Sequence, residues 1–129
     1  MIQVKRLMLV DDDEDDQEIF LSVIANVAPA VTCSLAANGY EALKSLAEYD
    51  ILPDLIFLDL NMPLMDGKQF LREVKKDTRF KQIPVIVLTT SSDTATINAT
   101  KALGAENFVT KPDKYSGWEE KLKELIQAP

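Results

Sequence analysis

The chain contains no histidine. That absence removes histidine acid–base catalysis, an imidazole metal ligand and a phosphohistidine from its repertoire. Any histidine that a reaction needs must arrive on a partner. Cysteine occurs once, as Cys33, so no intrachain disulfide can form. Its place in the apolar stretch Val31 to Ala36 predicts a buried structural thiol and favours a reducing, cytoplasmic setting. No apolar run approaches the ~18 residues of a membrane span, and the N-terminus lacks a signal-peptide core. Basic residues are in deficit: 14 Lys and Arg stand against 21 Asp and Glu, a formal net charge of −7. A surface of that sign repels both a nucleic-acid backbone and an anionic membrane.

What is present is a globular composition, 47% hydrophobic and 27% charged over 129 residues. That length suits one domain, expected over residues 1–129, and can bury a sizeable core without staples. Strand and helix patterns alternate throughout. Short apolar runs fall at Leu7 to Val10, Val31 to Ala36, Asp54 to Leu58, Pro84 to Leu88 and Asn107 to Thr110. Between them, helical spacing links Ile19, Phe20, Val23, Ile24 and Val27, with Pro29 closing that segment. It recurs at Ala42, Leu43, Leu46 and Ala47 after Asn38-Gly39, and at Phe70, Leu71 and Val74 after Gly67. Ser91, Ser92 and Asp93 are N-cap candidates for a helix ending near Leu103-Gly104, and Trp118, Leu122, Leu125 and Ile126 mark a last helix. Five βα units predict an α/β fold with a doubly wound parallel sheet. Right-handed crossovers favour the flavodoxin-like strand order 2-1-3-4-5.

The strands end in chemistry. The first runs into Asp11 and Asp12, the third into Asp59, the fourth into Thr89 and the fifth into Lys111. In such sheets ligands bind outside the carboxyl ends of the strands. Two carboxylates about 4 Å apart repel by roughly 4 kcal/mol at an effective dielectric near 20. Three of them call for a cation, and all-oxygen ligation selects magnesium or manganese. Asp59 can also act as a nucleophile toward phosphorus, Lys111 can hold a phosphoryl oxygen or pair with Asp59, and Thr89 can donate its hydroxyl. The acidic run continues through Asp13, Glu14, Asp15 and Asp16. Glu14 to Asp16 read as a solvated cap at a helix N-terminus. Phe108, taken on its own, reads as an ordinary core aromatic.

Taken in order, these segments closely resemble the receiver domain of two-component response regulators, over essentially the whole chain. The likeness rests on Val10-Asp11-Asp12, on Asp54 to Pro63 with Asp59 inside it, on Met65-Asp66-Gly67, and on Thr89, Phe108 and Lys111-Pro112. The resemblance implies that Asp59 is the phosphoacceptor and that Asp12 and Asp59 bind Mg2+ directly. Asp11 would help through water, Asn61 would contribute its backbone carbonyl, and Thr89 and Phe108 would form a coupled switch. It further implies a cis peptide at Lys111-Pro112. The donor would be a sensor histidine kinase or a histidine phosphotransfer protein, and the chain would catalyse only its own phosphoryl transfer and loss. Output would pass through the last two helices and the fifth strand to a protein target, and phosphorylation would favour a homodimer, with no effector domain attached. The Thr89-Thr90-Ser91-Ser92 stretch is similar to lone receivers that pair with phytochrome-type and other soluble kinases.

Three positions depart from the family pattern. The acidic run is long, Thr90 stands where a smaller residue is frequent and would slow phosphoryl loss, and Asp113 comes after Pro112 where an apolar residue is frequent. Other functions use similar parts. A haloacid dehalogenase-type phosphatase would pair Asp11 with Asp13 and use Thr89 and Lys111. It would leave Asp59 idle, and the 18 residues after Lys111 are too few for a further strand carrying that family's acidic metal ligands. A flavodoxin-like electron carrier would place its phosphate-cradling loop where this chain is acidic. A receiver-like scaffold that never takes phosphate would be expected to lack one of the site residues, and none is missing.

Overall fold

The computed structural model describes residues 4–62, 65–90 and 93–127. Pro63, Ser91 and Ser92 lie outside them. Five strands and five helices alternate: β1 (Arg6–Val10), α1 (Glu14–Val27), β2 (Thr32–Ala36), α2 (Gly39–Glu48), β3 (Leu55–Asp59), α3 (Gly67–Lys76), β4 (Val85–Thr89), α4 (Thr94–Ala102), β5 (Asn107–Thr110) and α5 (Tyr115–Gln127). Every strand pairing is parallel, and the sheet order is β2-β1-β3-β4-β5. The expected architecture and strand order are therefore present.

Side-chain alternation along the strands divides the core in two. Leu7, Leu9, Leu55, Phe57, Ile86, Leu88 and Val109 pack against α1 and α5. Met8, Val10, Ile56, Leu58 and Val85 pack against α2 and α3. Phe20 of α1 meets Phe57 edge-on at 5.1 Å between ring centroids and Trp118 of α5 at 6.4 Å, tying one helical layer to the central strand.

Helix starts are set by short polar side chains. Asp13, Asn38, Asp66 and Asp93 each accept a backbone N–H from the third residue of the helix they cap, a contact worth about 1 kcal/mol. Asp66 and Gln69 complete a reciprocal capping box. Asp93 thus takes the N-cap expected of the Ser91 to Asp93 group. The layer around α4 is thinner: Thr100 is its one buried residue among those described, its hydroxyl donating to the carbonyls of Thr96 and Ile97.

Two expectations change. The Lys111–Pro112 peptide is trans, and no cis bond occurs among the described residues. Trans is the intrinsic preference even before proline, by about 0.5–1 kcal/mol. Cys33 is half-buried rather than buried because β2 is an edge strand. Burial still pushes its thiol up to about 12, which keeps it unreactive.

Gly67 is required by contact. A Cβ there would stand 2.6 Å from the Asp59 carbonyl oxygen and 2.6 Å from the Leu60 Cα, both backbone atoms that cannot swing aside. Gly67→Ala is expected to cost about 1–3 kcal/mol, as overpacking does, and to shift the end of β3. Chemical denaturation measures this; an unchanged midpoint would mean that the β3–α3 approach is loose.

Candidate functional site

Alternation along the strands also builds the site. The face that presents Leu7 and Leu9 next presents Asp11; the face of Leu55 and Phe57 presents Asp59; the face of Val109 presents Lys111. All three lie on the α1 side at the carboxyl end of the sheet. Asp11 and Asp59 are buried, with 0% and 5% of their surface exposed, while Asp12 is exposed. Carboxylate oxygens of Asp11, Asp12 and Asp59 come within 4.8 Å of one another.

Lys111 is the cation of this cluster. Its Nζ donates to Asp16 Oδ2 at 2.8 Å and to Asp11 Oδ2 at 3.0 Å, and lies 3.8 Å from Asp59 Oδ1. Its backbone N–H donates to the Thr89 carbonyl at 2.8 Å, which anchors β5 to the end of β4. Asp16 therefore departs from the solvated-cap reading given to Glu14, Asp15 and Asp16. Its neighbours Glu14 and Asp15 are exposed, as expected. Asp13 does not face the cluster as a phosphatase motif would require. Its side chain caps α1, and its N–H donates to Asp11 Oδ1 at 3.0 Å.

Asp12, Asn61 and Thr89 line a cleft of about 540 Å³, together with Asp66, Lys68 and Thr96 among others. Asn61 is exposed, and its N–H donates to Asp59 Oδ1 at 3.4 Å. Thr89 is buried at the end of β4, in register with Thr110. Phe108, beside Val87, is half-buried, so the core-aromatic reading from the residues alone does not hold. It stands on β5, an outer strand of the sheet.

Electrostatics follow from burial against one cation. Burial raises the Asp59 carboxyl to about 6, helped by the charges of Asp11 and Asp12 and opposed by Lys111 and the Asn61 N–H. Asp11 is also raised, because its burial outweighs the hydrogen bonds from the Asp13 N–H and Lys111. Lys111 shows the reverse balance: burial lowers its pKa, but hydrogen bonds to Asp16 and Asp11 outweigh that and raise it. One ammonium among Asp11, Asp12, Asp16 and Asp59 leaves an excess of negative charge. That donor set, oxygen-only and under-neutralised, fits a hard divalent cation such as magnesium or manganese.

The folded-state pKa of Asp59 lies above its ordinary value of 3.8, so folding favours the protonated form. The destabilisation is absent below the ordinary value, develops as pH rises toward about 6, and is complete above it. Asp59→Asn is expected to raise the stability of metal-free protein at pH 7 by about 1–3 kcal/mol. The gain should vanish near pH 3 and shrink in magnesium. Urea denaturation in chelator at both pH values checks this, and a loss of stability at pH 7 would contradict it.

Comparison with known proteins places this geometry in a family. Residues 7–123 match the response regulator receiver domain. A probable C4-dicarboxylate response regulator, DctR of Bacillus subtilis (strain 168), is 32% identical over 122 residues, 95% of this chain and 52% of its own. The chain spans about half the length, or less, of the first curated relatives it matches. Among solved structures, the phosphorylated cyanobacterial phytochrome response regulator RcpA superposes with a TM-score of 0.88 at 32% identity, covering 97% of this chain and 95% of that one. The Mn2+-bound form of response regulator Rcp1 superposes with 0.85 at 27%, covering 96% and 93%. Sheet order, the placement of the acidic cluster and these likenesses agree: the chain belongs to the response regulator receiver domain family.

Proposed function

We propose that this domain accepts a phosphoryl group on Asp59 from a phosphohistidine presented by a sensor histidine kinase or a histidine phosphotransfer protein. One observation carries the reading. Asp59 is buried at the end of β3 beside Asp11 and Asp12, with the Lys111 ammonium 3.8 Å from its Oδ1. A carboxylate oxygen of Asp59 bonds to phosphorus as the phosphorus–nitrogen bond of the donor breaks, and the leaving imidazole takes up a proton. Lys111 stabilises the charge carried by the phosphoryl oxygens, and the Thr89 hydroxyl donates to one of them. Asp12 and Asp59, with the Asn61 carbonyl and with Asp11 through water, would hold Mg2+ or Mn2+, which supplies further charge neutralisation when bound. The existence of a Mn2+-bound form of response regulator Rcp1 supports a divalent cation in this reading.

The new dianionic group draws Thr89 toward it and opens space for Phe108 to turn inward, biasing an existing equilibrium of the α4-β5-α5 face. Light packing of α4 and β5 supports this choice of face, whereas α5 is held in the core by Trp118, Leu122 and Ile126. Thr100 is the buried residue of α4 and Val109 that of β5, so little apolar contact opposes a shift of those two elements. The same face is proposed to dock a downstream protein and to support a reversible homodimer. The role is signalling without turnover of an external substrate, in the cytoplasm; no helix among the described residues is long and apolar enough to cross a membrane.

Intact mass after incubation with magnesium and acetyl phosphate tests the assignment. One phosphoryl group should be gained by the parent and none by Asp59→Asn. Equal gain by both would place the acceptor elsewhere, and multiple turnover independent of Asp59 would favour a phosphatase.

A further inference from the structure

We propose that Asp16 is a positioning residue for phosphoryl transfer, holding the Lys111 ammonium beside Asp11 and off Asp59. The inference rests on Asp59 being the phosphoacceptor. An ammonium has three donors. Two are committed, to Asp16 Oδ2 at 2.8 Å and Asp11 Oδ2 at 3.0 Å, and Asp59 Oδ1 stands at 3.8 Å, beyond a hydrogen bond. The third donor is thus reserved for an oxygen added at Asp59.

The placement of Asp16 is built, not incidental. Its N–H donates to the Asp13 cap at 3.1 Å, which fixes the first turn of α1. One residue on, Gln17 Nε2 donates to the Asp11 carbonyl at 2.6 Å and ties that turn to the end of β1. The Lys111 side chain is 9% exposed and that of Asp16 24%, so water screens the pair only in part. Without Asp16 the ammonium is free to close the gap to Asp59 and hydrogen-bond the nucleophilic oxygen. That contact lowers the reactivity of the carboxylate before transfer and moves the donor away from the incoming phosphoryl oxygen. Asp16 keeps a second anchor on Lys111 when Asp11 is engaged by a cation.

The test is phosphorylation of the full chain by acetyl phosphate in saturating magnesium, with intact mass read over a range of donor concentrations. In that reaction an Asp59 oxygen bonds to phosphorus, the donor's phosphorus–oxygen bond breaks, and acetate leaves. Asp16→Ala is expected to lower the limiting rate on the order of tenfold, the effect of misplacing one charge-assisted hydrogen bond. The donor concentration giving half the limiting rate should stay unchanged. Asp16→Asn keeps an oxygen acceptor at the same reach and should recover part of the loss, about threefold below the parent. Glu14→Ala and Asp15→Ala remove the same charge from the same turn, and among the described residues neither side chain pairs with a cation. Both should react like the parent.

A parent-like rate in Asp16→Ala would overturn the inference. So would equal slowing in Glu14→Ala, which would mean a general charge effect. Should Asp16→Ala fail to fold, a parent-like rate in Asp16→Asn would overturn it equally. A parent that gains no phosphoryl group would instead overturn the assignment of Asp59 on which the inference rests.

Discussion

A single ammonium holds this site together. Lys111 lies against three carboxylates that come from β1, α1 and β3, elements far apart in the chain. Each is there because the fold puts it there, and without Lys111 their mutual repulsion would work against that arrangement. At an effective dielectric near 20, one ion pair at hydrogen-bond distance is worth about 5 kcal/mol before desolvation is counted. Removing the lysine would leave buried Asp11 and Asp59 without a counter-charge, the costly half of any buried ion pair. The lysine is also too little. Its one charge leaves the carboxylate cluster acidic, a surplus that suits a divalent cation.

Stability and function therefore pull apart at Asp59. A buried apolar residue at the end of β3 would suit the core better than a carboxyl whose pKa is raised by burial. The rest of the domain supports that cost with dense packing on both faces of the sheet, through Phe20, Phe57 and Trp118 on one side and Phe70, Leu71 and Val74 on the other. Packing thins toward α4 and β5, the region through which the added charge is proposed to be read.

Much of this was legible in the residues. Alternating apolar strands and helical stripes gave five βα units, and the rule of right-handed crossovers selected the strand order. The polar residues at the carboxyl ends of four of the five apolar runs placed Asp11, Asp12, Asp59, Thr89 and Lys111 at one edge. Asp16 was missed because it stands in a run of six acidic residues, where a solvated cap is the ordinary reading. A usable signal was present: with Asp13 as N-cap, Asp16 falls in the first turn of α1, on the helix that covers the face bearing Asp11 and Lys111. The half-burial of Phe108 and Cys33 follows from β5 and β2 being the outer strands of the expected order, whereas the buried readings weighed only the apolar run around each residue. The trans bond at Lys111-Pro112 differs from what the family resemblance implied. Trans is the ordinary state of such a bond, and Lys111 reaches both of its partners from it.

One lysine under-neutralises a carboxylate pocket whose oxygens suit a divalent cation, and calorimetric titration of magnesium tests whether one binds. The titration compares the parent with Lys111→Met, at pH 7 and pH 5. One ion per chain is expected at pH 7, with about tenfold weaker binding at pH 5, where Asp59 must first lose a proton. Binding to Lys111→Met should be tighter, because its carboxylate cluster has lost the ammonium that competes with the metal. Affinity that ignores both the pH step and the loss of Lys111 would contradict this balance of charge.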